Sequence, residues 1–174
     1  MEKFDLELPG KHFKSVRNAK NKFYKEHLVE MISAISVNKQ DLHNIVDRWH
    51  KQRLFSKIPE LYPGRYHNLI NADFTGTDSA RVMLVDKKTV GFNAGWKTTN
   101  NEIEWSACVG IHDFSIKDLG VALLLEDLEW IKKSGYKTCD LGGSEPNALK
   151  FKMQFLPEKT YKTYTFYLET TQIF

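Results

Sequence analysis

Three stretches of the chain repeat apolar residues at helical spacing. Phe13, Val16, Ala19 and Phe23 share one side of residues 11–26, with lysines around the rest, which predicts a helix there. Leu42, Ile45, Val46 and Trp49 predict a second helix over 39–56. Asn38 can cap it, with Asp41 three residues on. Val121, Leu124, Leu125, Leu128 and Ile131 form the stripe of a third helix over 117–134, and Gly135 is placed to terminate it. Other stretches read as strands. Residues 28–37 are apolar and partly β-branched. Residues 80–85, 89–98 and 102–110 alternate with polar turns at Asp86-Lys87-Lys88 and Thr99-Asn100-Asn101, the pattern of an antiparallel meander. A short strand over 136–141, a helix over 146–154 and a strand over 160–168 complete the pattern, while 58–71, with Pro59 and Pro63-Gly64, reads as a loop with a short helical turn.

The passage from strand 102–110 through the long helix to strand 136–141 implies a parallel pair joined by a crossover. The expected fold is therefore α/β, a mixed sheet with helices on both faces. At 174 residues the chain is expected to form one domain with a substantial core. A composition of 41% hydrophobic and 27% charged residues argues against disorder. The net charge of +3 does not by itself imply nucleic acid, but the charge is unevenly placed: residues 11–25 hold six Lys or Arg and no acid, whereas Glu126, Asp127 and Glu129 cluster on the long helix. Cys108 and Cys139 lie in apolar strand-like sequence without CxxC spacing, as expected of buried free thiols in a reducing compartment. The longest apolar run is residues 121–125, too short to span a membrane, and the first residues lack the apolar core of a secretory signal, so the expectation is a cytoplasmic protein.

Two motifs carry a family resemblance. Lys117-Asp118-Leu119-Gly120-Val121-Ala122 sits at the junction of strand and long helix. It resembles the Gln/Arg-x-x-Gly-x-Gly/Ala turn of the GNAT superfamily of N-acetyltransferases, with Lys in place of Arg or Gln. Small residues at a helix N-terminus leave backbone N–H groups for a pyrophosphate, and the helix dipole favours the anion. The alternative is that Gly120 and Ala122 let the helix pack closely on the sheet. The second motif is Asp140-Leu141-Gly142-Gly143 followed by Phe151-Lys152-Met153-Gln154-Phe155. It resembles a GNAT subgroup that includes the Fem-type aminoacyltransferases and the acyltransferase domains related to phosphatidylglycerol lysyltransferase. The basic helix with Arg17-Asn18 at its centre is similar to theirs. The resemblance implies a single GNAT-like acyltransferase domain over residues 1–174, with the 139–155 stretch forming a strand beside the splayed cleft of the sheet and the helix that walls it.

The resemblance also implies a site. Acyl-CoA would meet Val109, Ile111, Lys117, Leu119, Gly120, Val121, Ala122, Asn147 and Lys152. Glu104 occupies the strand position where many GNAT enzymes hold a general base, and could activate an amine through a water. Equally, Glu102 and Glu104 could face solvent while Ile103 and Trp105 point inward. His112 is a second candidate base or a phosphate contact, against the reading of a surface histidine. The tyrosine that often serves as general acid is replaced by Phe151, leaving Tyr161 and Tyr164 as possible substitutes. Lys152 can contact a phosphate or carboxylate, or cover the neighbouring aromatics with its stem. The six histidines show no metal-ligand spacing. The expected function is N-acyl transfer from acetyl-CoA or another acyl-CoA to a small-molecule amine or aminoacyl acceptor. Aminoacyl transfer from charged tRNA, whose phosphates the basic helix could meet, and a non-catalytic GNAT-like binding module are the alternatives.

Overall fold

The computed structural model describes residues 1–54, 63–99, 101–144 and 146–162. Its contacts divide into two compact units, Met1–Gly142 and a second beginning at Gly143. In the first unit, α1 (Lys14–Glu26) leads to β1 (Val29–Ser33), a 3-10 turn (Ala34–Ser36), α2 (Lys39–Leu54) and α3 (Gly64–Asn71). Then come β2 (Ser79–Val85), β3 (Lys88–Thr98), β4 (Asn101–His112), α4 (Leu119–Lys133) and β5 (Thr138–Asp140). The second unit contains α5 (Pro146–Met153), whose Phe151 meets Phe155, just past the helix, edge-on with ring centroids 5.5 Å apart.

Local chemistry explains the helix ends. Asn38 Oδ1 accepts the Gln40 N–H at 2.9 Å, capping α2 through its second residue. Gly135, with φ of 88°, follows the last turn of α4. The Tyr136 N–H returns to the Ile131 carbonyl at 3.3 Å and the Gly135 N–H to Lys132 at 3.1 Å, the double bond of a Schellman motif. Between β2 and β3, Asp86 and Lys87 both adopt positive φ, as a two-residue hairpin requires. The Asp86 carboxylate accepts the Leu28 N–H at 3.0 Å, which ties this turn to the start of β1.

Among the described residues the sheet has five strands in the order β1-β2-β3-β4-β5. The first four run antiparallel and β5 lies parallel to β4. Two irregularities shape it. Met83 pairs with Gly91 but Leu84 pairs with Thr89, so Val90 is an extra residue in β3. This bulge changes which face the strand presents. Phe92 and Ala94 join Val82 in a core with α2 and α3, including Ile45, Trp49, Tyr66 and Ile70. Val90 instead joins Met83 in a core with α1 and α4, including Phe23, Leu119 and Leu123. Each fully buried Phe, Leu or Ile side chain is worth about 1.5–3 kcal/mol relative to exposure. The second irregularity lies in β4, where Ala94 pairs with Val109 but Gly95 with Ala107, leaving residue 108 as the extra one.

The mixed α/β sheet with helices on both faces is the architecture expected from the sequence. Two elements differ. The strand expected over 28–37 ends at Ser33, because the chain turns through Ala34–Ser36, buries Ala34 under α2 and closes with a Ser36 Oγ–Ser33 carbonyl bond of 2.6 Å. The expected loop around Pro63-Gly64 instead starts α3, since proline is tolerated where helix N–H groups have no partner and Tyr66 and Ile70 bury one turn apart. Of the strand expected over 160–168, residues 163–168, with Tyr164, lie outside the described residues.

Candidate functional site at the end of the fourth strand

β5 pairs with β4 only from Glu104 to Ser106, so among the described residues β4 continues to His112 without a partner on that side. The strand then delivers the chain, through 113–118, into the N-terminus of α4. Asp118 stands at the cap position in a left-handed conformation, φ 62°, with no side-chain capping bond. The Val121 and Ala122 N–H groups both return to the Asp118 carbonyl at 3.1 Å, and the Leu119 N–H reaches Ile116 at 3.4 Å. The Gly120 N–H has no acceptor among the described residues. Leu119 and Ala122 are fully buried in the α1–α4 core and Ile111 in the α2–α3 core, so these residues have only backbone to offer a ligand. Val109 packs against the second of these cores, Val121 is half-buried and Lys117 is exposed.

His112 lies against this turn. A Cβ built on Gly120 would come 2.8 Å from His112 Nε2, so the missing side chain of Gly120 is the space the imidazole fills. The ring also meets Phe114 edge-on, with centroids 4.5 Å apart. Burial pushes the imidazole down to about 4, against the pull of the Asp113 carboxylate and with the aid of the Arg53 guanidinium, so the ring is neutral at pH 7. Glu104 sits eight residues earlier on β4, and at about 3.4 Å per residue the two candidate bases are separated by nearly the length of the strand. They cannot act on one atom. Glu104 is half-buried and accepts a 3.4 Å bond from Thr138 Oγ1, while Trp105 is buried against Trp130 and Tyr136. Ile103, which points inward in the alternative that has Glu104 facing solvent, is 46% exposed.

The loop 113–118 is held by residues that no motif singled out. The buried Asp113 carboxylate accepts Gln52 Nε2 at 2.7 Å, Ser115 Oγ at 2.6 Å and the Ser115 N–H at 2.9 Å. Arg48 lies 3.2 Å from its other oxygen. Gln52 completes the clamp by accepting the Phe114 N–H at 2.8 Å. Burial opposes the charge on Asp113, yet these hydrogen bonds and Arg48 hold its carboxyl below the usual carboxylate range. Beside this loop, a groove of about 430 Å³ is lined by Arg48, Lys87, Lys88, Asn44, Asp41 and Ile116. Gln52 and Asp113 are 61 residues apart in sequence, which is why local pattern carried no sign of them.

Elsewhere in the first unit, Asp127 on α4 faces Arg81 of β2 at 3.2 Å, and burial raises its carboxyl to about 6 despite that partner. Cys139 is a free thiol pushed up to about 12 by burial, which makes it inert as a nucleophile. Asn147 and Lys152 lie on α5 and Tyr161 beyond it, 66% exposed, all in the second unit. Among the described residues no group of three or more His, Cys, Asp or Glu is placed to hold a metal. No described helix is long and apolar enough to cross a membrane.

Comparison with known proteins agrees with this architecture. No curated protein sequence matches the chain. Solved structures do. The C-terminal domain of a putative lysylphosphatidylglycerol synthetase from Agrobacterium fabrum is 13% identical over 90% of this chain and 54% of its own, with a TM-score of 0.61. An aminoglycoside acetyltransferase, meta-AAC0020, from an uncultured soil metagenomic sample is 15% identical over 87% of this chain and 99% of its own, TM-score 0.55. The PaiA N-acetyltransferase of Thermoplasma acidophilum, solved in complex with coenzyme A, is 15% identical over 74% and 87%, TM-score 0.50. At these identities the likeness is one of fold, the GNAT-like fold of acyltransferases. A family model, the C-terminal domain of phosphatidylglycerol lysyltransferase, matches residues 1–152, and the chain belongs to that family.

Proposed function

We propose that the chain transfers an acyl group from acyl-CoA to an amine acceptor. The observation that carries this reading is the α4 N-terminus at the end of β4, with a cationic groove beside the 113–118 loop that leads into it. Arg48, Lys87 and Lys88 line the groove, and Gly120 offers an uncommitted N–H where the helix dipole favours an anion. A donor carrying phosphates would be anchored there. Its acyl arm would run along the stretch of β4 that β5 leaves unpaired, past Val109 and Ile111, toward Glu104. Glu104 would take the amine proton through a water as the acceptor nitrogen attacks the thioester carbon and the thiolate leaves. His112, neutral and packed on Gly120, would shape the anion turn and offer one N–H or one lone pair, but no charge. The complex of PaiA with coenzyme A supports the donor class by analogy of fold. Lys117 belongs to the same proposal as a donor contact.

Aminoacyl transfer from charged tRNA is a second reading, favoured by the family match and by the acidic residue, Asp118, at the cap of α4, where a pyrophosphate would otherwise be favoured. A thermal-shift series with acetyl-CoA, longer acyl-CoAs and an aminoacyl-tRNA separates them. A rise in Tm with a CoA ester, abolished in Gly120→Trp, supports the first reading. Stabilisation by aminoacyl-tRNA alone transfers the proposal to the second, and no response to any donor leaves a non-catalytic binding module.

A further inference from the structure

The groove beside the loop 113–118 is built more firmly than a scatter of surface lysines. Asp41, Asn44 and Arg48 recur at three- and four-residue spacing, so they line it from one face of α2. Lys87, Lys88 and Thr89 line it from the β2–β3 turn and the start of β3. Arg48 is held in place, because its Nη1 lies 3.2 Å from an oxygen of Asp113, whose side chain is only 6% exposed. The Asp113 N–H donates to the Val90 carbonyl at 3.0 Å, so the residue that fixes Arg48 lies beside the first residues of β3. The turn is fixed as well. The Asp86 N–H donates to the Leu28 carbonyl at 2.9 Å, and the Asp86 carboxylate meets the Leu28 N–H and His27 Nδ1, each at 3.0 Å.

The charges of this groove select a ligand. Against Arg48, Lys87 and Lys88 stands one lining carboxylate, Asp41, two helical turns from Arg48 and roughly 10 Å away along the axis. Among the described residues neither lysine forms an ion pair, and the acid next to them, Asp86, is engaged by Leu28 and His27. Arg48 keeps N–H groups that Asp113 does not take, since a guanidinium is a fork of several donors. Asn44 Oδ1 accepts Gln40 Nε2 at 3.1 Å, which leaves the Asn44 amide N–H groups to donate, and Thr89 adds a hydroxyl. A phosphomonoester suits this set. It carries about −1.5 to −2 charges at pH 7 and three terminal oxygens, whereas a carboxylate or a phosphodiester carries a single charge on two. A volume of about 430 Å³ also leaves room for part of the molecule that bears the phosphate.

We propose that this groove is a phosphomonoester site, in which Arg48, Lys87 and Lys88 bind the dianion and the buried Asp113 carboxylate positions Arg48. The identity of the molecule that brings the phosphate rests on the acyl-CoA reading; the phosphate chemistry does not. Coenzyme A carries a diphosphate and, on its ribose, a separate phosphomonoester. The structure offers two kinds of anion contact to match them: a backbone N–H at the entrance of α4, and side-chain cations in the groove. The groove then selects coenzyme A over its dephosphorylated form, a discrimination made away from the acyl group and its acceptor.

The test is titration calorimetry of the full chain with coenzyme A, dephospho-coenzyme A and inorganic phosphate. Coenzyme A should bind about tenfold more tightly than the dephospho form, as charge-assisted hydrogen bonds to a dianion require. Arg48→Gln and Lys88→Gln, both at exposed positions, should each narrow that ratio about two- to fivefold by weakening coenzyme A alone. Equal affinities for coenzyme A and its dephospho form in the wild type overturn the site and leave the acyl-CoA reading standing. A ratio, or a phosphate affinity, that is unchanged in both variants overturns the site as well. Binding of inorganic phosphate alone, weakened in both variants, keeps the site and removes the acyl-CoA reading. Binding of none of the three overturns both. If a variant does not fold, the wild-type comparison of coenzyme A with its dephospho form decides by itself.

Discussion

At Gly120 a side chain has no room. The Cβ of an alanine there would lie 2.8 Å from His112 Nε2 and 3.0 Å from Cε1, and the ring is itself wedged against Phe114. Gly120→Ala should cost about 1–3 kcal/mol, read from urea unfolding, because the half-buried ring must leave its packed position. A variant as stable as the wild type would mean the ring moves freely. His112 brings a pH dependence of its own. Burial holds the folded imidazole at about 4, below the 6.5 of an unfolded histidine, so the unfolded chain takes up the proton first on acidification. The stability from the neutral buried ring is fully present above about 6.5 and is lost as pH falls toward 4, on the order of 3 kcal/mol in all. His112→Gln should therefore lose less stability than the wild type between pH 7 and pH 4.5, by roughly 2–3 kcal/mol in paired urea titrations. Parallel titrations of the two proteins would show that the ring is solvated. Gly120 could be singled out in the sequence as the small residue of a helix-entry turn. The ring that fills its place could not.

At the scale of elements, the clamp between α2 and the loop 113–118 sets where α4 begins. Gln52 donates to Asp113 and accepts from the Phe114 N–H, so its amide spans side chain and backbone at once. Gln52→Ala should cost about 1–3 kcal/mol and raise the exchange rates of the 113–118 amides, while α1 and β2 exchange as before. Uniform loss of protection across the molecule would instead indicate a general defect in the α2 core. The long periodic elements α1, α2 and α4 were legible in the chain because their apolar stripes are sustained over several turns. The shorter ones were not. α3 spans eight residues behind a Pro-Gly pair that reads equally as a loop, and β1 shares its apolar run with a turn that only the position of α2 requires.

At the scale of the molecule, β3 is the centre of the first unit. It pairs along its length with β2 and β4 and is covered on one side by α2 and α3 and on the other by α1 and α4. Its amides should exchange at the rate of global unfolding, whereas α5, which buries none of its residues, should exchange faster than β3 by orders of magnitude. Equal rates in β3 and α5 would place both in one cooperative unit. The GNAT-like order of elements, the helix caps, the hairpin at Asp86-Lys87 and the Gly-Gly and Phe-Lys-x-x-Phe motifs of the family follow from the sequence by itself, because each is written in residues close together along the chain. Three arrangements depend on the tertiary structure: His112 in the space above Gly120, Gln52 and Arg48 on Asp113, and His43 against His67. Periodicity says which face of an element is buried. It does not say which residue of another element that face will meet.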